Sequence, residues 1–114
     1  MAINCESKNG VGLVTVTGAL NALVVESFHK QFGAWFDSQP GMKQVVVDLG
    51  GVGFIDSLGL GALISVFKRV AERGGDMRLV RPQQAVKLVL EITRTSRILH
   101  TFGTLEEAMR DAGC

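Results

Sequence analysis

A chain of 114 residues with 46% hydrophobic and 20% charged side chains has the makeup of one soluble globular domain, residues 1–114, around a single core. Twelve basic residues against eleven acidic ones leave a net charge of +1 with no basic run, which argues against a domain that grips nucleic acid through its phosphates. MAINCESKNG has neither a basic n-region nor an apolar stretch, so no secretory signal is expected, and the longest apolar run, Leu58 to Phe67, falls short of the ~20 residues of a membrane span.

In chain order, Ile3 to Glu6 and Leu13 to Thr17 read as two strands joined at Asn9-Gly10, a hairpin signal because both positions tolerate positive φ. Asn21 is placed to cap a helix running to about Phe36, with Val25, Phe28, Phe32, Trp35 and Phe36 on one face, a core stripe by its spacing. Pro40-Gly41 ends that unit. Val45 to Leu49 is apolar and β-branched enough for a strand covered on both sides. From Leu60 the apolar residues recur helically at Leu63, Ile64, Phe67 and Ala71, and Gly74-Gly75 supplies a stop. Met77 to Val80 is a further strand, Pro82 suits the first turn of a helix holding Val86, Val89 and Leu90, and Ile98 to Phe102 is a short last strand. Thr104 to Glu107 is a capping box opening a final helix with Leu105, Ala108 and Met109 inward. This order is an α/β domain: a mixed, mostly parallel sheet of four to five strands, an N-terminal hairpin and about four helices.

The two cysteines, Cys5 and Cys114, stand at opposite ends without metal-ligand spacing and read as free thiols of a reducing cytoplasm. The chemically pointed stretch is Asp56-Ser57, where strand gives way to helix. Backbone N–H groups at a helix start lack intrahelical partners and favour negative charge, so a phosphate on Ser57 is tolerated there. A plain helix cap explains the same pair. Gly59 and Gly61 weaken that explanation, since each costs up to ~1 kcal/mol against alanine in a helix and both clear space beside Ser57 for another protein's backbone.

Other candidates are weaker. Asp48 ends a strand as a phosphoacceptor would, but residues 1–21 offer only Glu6 of the acidic pair needed for Mg²⁺, and a hydrogen bond to the neighbouring loop is the simpler role. A serine-hydrolase elbow requires glycine at position 55, which is Ile55, and neither His29 nor His100 is paired with Ser57 by the sequence. Gly50-Gly51-Val52-Gly53 fits neither a dinucleotide fingerprint nor a P-loop. No catalytic residue, metal site or cofactor is expected.

Asp48-Leu49, Phe54, Asp56-Ser57, Gly59-Leu60-Gly61 and Leu63 together resemble the signature of the STAS family, the domain shared by sulfate transporters and anti-sigma factor antagonists. VTVTGALNAL (Val14 to Leu23), MRLVRP and FGTLEEAM match in order, so the resemblance spans essentially the whole chain. It implies a bacterial, cytoplasmic anti-sigma factor antagonist: a binding module rather than an enzyme. An anti-sigma factor serine kinase would bind the unmodified domain, release its sigma factor, and be repelled once it has phosphorylated Ser57; a serine phosphatase would reset the switch. Asn21, Asp56, Ser57, Gly59, Leu60 and Gly61 would frame the contact. Asn21 stands where many phosphorylated members carry Asp, which keeps the capping ability and removes a charge. The alternative is a STAS subunit of a transporter or stress-signalling complex in which Ser57 only starts a helix.

Overall fold

The computed structural model describes residues 1–113; Cys114 lies outside them. The strands are β1 (Ala2–Lys8), β2 (Val11–Thr17), β3 (Gln44–Gly51), β4 (Asp76–Val80) and β5 (His100–Phe102), and the helices α1 (Val25–Asp37), α2 (Ser57–Glu72), α3 (Gln84–Ile92) and α4 (Leu105–Asp111). A 3-10 turn, Thr95–Arg97, precedes β5 and confines it to three residues of the stretch from Ile98 that the sequence assigned to a strand. The sheet order is β1-β2-β3-β4-β5, with β1 antiparallel to β2 and every other pair parallel. The Asn9-Gly10 turn closes the hairpin with both residues at positive φ, 54° and 81°.

Alternation along the central strands sends successive side chains to opposite faces. Val14 and Val16 of β2, Val45, Val47 and Leu49 of β3, and Met77 and Leu79 of β4 meet Phe28, Phe32 and Phe36 of α1, Leu63 and Val66 of α2, and Val86 and Leu90 of α3. Val11, Leu13, Val46 and Val80 face the other way, onto Ala108 and Met109 of α4. Hence three helices cover one face and α4 the other. Arg78 emerges on the α4 side, nearly buried, and is matched by Asp111 and Gln44. Phe28, Phe32 and Phe36 of α1 are core, as their spacing implied, while Trp35 packs half-buried against them: Phe32 and Phe36 stack at 5.2 Å, and Arg73 lies 3.5 Å over the Phe36 ring.

Three local expectations are corrected. Asn21 does not cap α1: the helix starts four residues later, Val24 occupies the cap without a side-chain hydrogen bond, and Asn21 Oδ1 instead accepts from Leu23 N at 3.0 Å, making a turn ahead of the helix. Pro82 stands just outside α3, before the cap residue Gln83, because the chain is still extended there. In α2 the inward stripe runs through Val66 and Val70, leaving Ala71 exposed. Thr104 caps α4 as the box motif demands, accepting from Glu107 N at 3.2 Å.

Candidate functional site

Two loops leave the sheet side by side, one after β2 and one after β3. Gly18 N donates to Gly51 O at 2.9 Å, Leu20 N to Phe54 O at 3.0 Å and Asp56 N to Leu20 O at 3.3 Å, so backbone bonds zip the loops together. Leu20 and Ile55 form an isolated parallel bridge and are both buried, which anchors the pair in the core. This brings the turn at Asn21 against the start of α2.

Asp56 is the hinge of that junction. Its Oδ1 accepts from Gly59 N at 2.8 Å, capping α2, and its Oδ2 accepts from Ala22 N at 3.0 Å, holding the opposite loop. The N–H of Gly59 first, and that of Ala22 next, keep the carboxyl below the usual carboxylate range. One carboxylate therefore fastens helix and turn together, and Asp56 rather than Ser57 is the cap. Ser57 is the first helical residue, exposed, and no hydrogen bond ties its hydroxyl to another described residue. Its oxygen lies open at the end of a helix whose first N–H groups favour an anion.

Gly59 has a more specific role than clearance. It is buried, and a Cβ there would stand 2.0 Å from Leu20 O and 2.8 Å from Leu20 C. The backbone that approaches Gly59 is thus the chain's own, and glycine is what lets the two loops close. Leu60 is likewise buried, its side chain in the core rather than on the surface. Gly61 is different: it is exposed, and a Cβ added there would meet nothing within 4 Å. Of the six residues expected to frame a contact, Ser57 and Gly61 present themselves outward, Asn21 and Asp56 are half-buried at the junction, and Gly59 and Leu60 support it from beneath.

Missing from the sequence reading is the exposure of three large apolar side chains at this junction, Leu23 and Phe54 on the two loops and Leu58 in the first turn of α2. Leu23 is 92% exposed, Phe54 54% and Leu58 58%. They flank Asn21, Asp56 and Ser57 in the chain, and the loop hydrogen bonds bring the Asn21 turn against the start of α2. Only Phe54 had a signal in the sequence, as the aromatic before Asp-Ser in the family pattern.

Asp48 is buried and fully engaged, accepting from Gly50 N at 2.9 Å and from Arg81 Nη2 at 2.6 Å. It closes its own loop, in keeping with the simpler role; the Arg81 partner, 33 residues away, has no local signal in the sequence. Gln83 Nε2 donates to Gly50 O at 2.9 Å and pins the glycine-rich stretch. His29 packs edge-on against Phe28 and His100 is exposed on β5. Burial pushes the Cys5 thiol up to about 11. Among the described residues no three metal-ligating side chains cluster, and no helix is long and apolar enough to cross a membrane.

Residues 2–108 match the family model of the STAS domain. A candidate anti-sigma factor antagonist of Thermotoga neapolitana is 35% identical over 92 residues, which are 78% of this chain and 80% of that protein. The crystal structure of a candidate anti-sigma factor antagonist from Thermotoga maritima superposes with a TM-score of 0.88 at 27% identity, covering 98% of this chain and 95% of that one. The Bacillus cell fate determinant SpoIIAA, in its phosphorylated form, shares the fold with a TM-score of 0.72 at 18% identity, over 96% of this chain and 98% of the other.

Proposed function

The chain belongs to the STAS domain family, and on that premise we propose that it is a cytoplasmic anti-sigma factor antagonist whose contact with an anti-sigma factor serine kinase is switched by phosphate on Ser57. The observation that carries this reading is the open Ser57 hydroxyl at a junction whose neighbouring residues Leu23, Phe54 and Leu58 are exposed. Exposed apolar side chains at such a junction are what a protein partner desolvates on docking. Nothing about the site calls for catalysis: it binds, and the partner does the chemistry.

The switch follows from charge. Phosphorylation places about −1.5 to −2 charges at the centre of a contact shaped for a neutral hydroxyl. In the free domain that charge is tolerated, because it lies in water at a helix N-terminus. In the complex it is buried without a partner, at ~3–5 kcal/mol, or about two to four orders of magnitude in affinity. A serine phosphatase then restores binding. Asn21, beside the site, brings no charge of its own to the partner.

Two measurements test the proposal. Mass spectrometry of the protein from its own cells should find phosphate on Ser57. Ser57→Asp and Ser57→Glu should melt like the wild type yet bind the cognate kinase far more weakly in calorimetric titration, while Ser57→Ala binds constitutively. If the acidic variants match wild type in both melting and affinity, the switch is refuted. The domain then reads as a STAS subunit of a transporter or stress complex, with Ser57 only the first residue of α2.

A further inference from the structure

Seven large apolar side chains are exposed among the described residues; besides Met1, three lie in or beside the Ser57 junction and three, Leu88, Ile92 and Ile98, belong to α3 and the turn after it. Helix α3 commits Val86 and Leu90 to the core, and Leu88 and Ile92, each two positions further on, leave from the opposite side. A helix apolar on both faces is ordinarily covered on both; here the outer ridge, with Ile92 71% exposed, is bare.

The platform beneath this ridge is held firmly. Thr93 Oγ1 donates to Val89 O at 2.7 Å and shares a 2.7 Å hydrogen bond with Thr95 Oγ1, which is buried. Arg94 takes the left-handed conformation, φ 61°, that turns the chain back toward β5. On the same helix and the turn after it, Lys87, Arg94 and Arg97 are all exposed, against the single acid Glu91. Among the described residues none of these four enters an ion pair. Three cations against one acid leave this face at +2, more than the whole chain's +1.

We propose that the outer face of α3, with Ile98 and the two arginines of the following turn, is a second docking surface, and that its occupant is an amphipathic helix with an acidic rim on a partner protein. This rests on α3 and the following turn rather than on the Ser57 loops, and it stands whether or not Ser57 is phosphorylated. Leu88 and Ile92 are one helical turn apart, the spacing of a ridge that seats between side chains of a facing helix. Carboxylates flanking that helix's apolar stripe meet Arg94 and Arg97, whose planar guanidinium groups bind them bidentately. A second copy of this chain fits less well, since a two-fold contact sets two cationic rims against each other. A lipid surface also fits less well. Membrane-surface helices bury a long apolar face, whereas α3 offers two turns whose other side is already in the core.

The test is nuclear magnetic resonance on the whole ¹⁵N-labelled chain. The probe is a synthetic helical peptide of about 18 residues with leucine at helical spacing and glutamate on both flanks; its control carries lysine for glutamate. The glutamate peptide should shift resonances of residues 84–99 and saturate below about 1 mM, and the lysine peptide should not. Arg94→Glu with Arg97→Glu should weaken binding about tenfold or more, and Leu88→Ser with Ile92→Ser should abolish it, with circular dichroism unchanged in both. Absence of shifts at ~1 mM, equal binding of the two peptides, or shifts confined to the Ser57 loops would each overturn the assignment. So would co-sedimentation with phosphatidylglycerol vesicles, or a concentration-dependent dimer, that the Leu88/Ile92 variant loses.

Discussion

Gly59 and Gly61 sit two residues apart in one helix, yet alanine should move the protein in opposite directions at the two positions. Both substitutions gain helix propensity, worth up to ~1 kcal/mol. At Gly61 nothing else changes, because an added Cβ meets no atom within 4 Å, so Gly61→Ala should stabilise by about 0.5–1 kcal/mol. At Gly59 the Cβ would lie 2.0 Å from Leu20 O and 3.0 Å from Ile55 Cγ1, far inside contact distance. Leu20 is fully buried and its carbonyl already accepts a backbone hydrogen bond across the junction, so neither loop retreats freely. Overpacking of this kind costs ~1–3 kcal/mol, and losing the strained backbone bond adds ~1 kcal/mol. After the propensity gain, Gly59→Ala should lose about 2 kcal/mol, roughly 3 kcal/mol below Gly61→Ala. Urea denaturation with the slope held in common reads both values. The functional readout runs in parallel: Gly59→Ala should weaken kinase binding by displacing the turn that carries Leu23, and Gly61→Ala should leave it near wild type. Equal stability changes of the same sign at the two glycines would refute the close approach of Leu20 and the account of the junction built on it.

Three further outcomes follow from particular groups. The Asp56 carboxyl is held below its ordinary range, so its contribution to stability is whole above about pH 4, where the unfolded chain's carboxyl is also ionised, and is lost as pH falls through the lowered native value; Asp56→Asn should flatten the acid limb of a melting-temperature profile, and an unchanged limb would show that the carboxylate does not hold the junction. Leu23→Ser and Phe54→Ser should leave the melting temperature almost unchanged while reducing kinase affinity, and surface plasmon resonance with undiminished affinity would remove these exposed side chains from the contact. In a Cys114→Ser background, Cys5, whose thiol is pushed up to about 11, should be alkylated by iodoacetamide more slowly than glutathione at neutral pH and speed up as pH approaches that value; a rate equal to glutathione's would show the thiol to be open to water.

The element order and a helix start at Asp56-Ser57 were legible in the sequence because short-range physics sets them: period-two and helical apolar spacing, Asn9-Gly10 with its tolerance of positive φ, and Thr104 with Glu107 three residues on. The same signals marked where an anion-tolerant hydroxyl would lie at Ser57. What they do not contain is which loops meet. Asn21 looked like a cap because its residue type suits one; only the packing of the β2 exit against the β3 exit puts Ala22 N onto Asp56 and leaves Asn21 to make a turn. Gly59 looked like an opening for a partner, and tertiary structure fills it with Leu20. Asp48 found its cation in Arg81, 33 residues away, through the parallel pairing of β3 and β4. Leu23, Phe54 and Leu58 have the hydropathy of core residues, and their exposure follows from the direction in which the zipped loops turn them. Local pattern determines what each segment becomes, because it depends on neighbours along the chain. Which side chains share a surface depends on neighbours across it, and that was decided only when the sheet assembled.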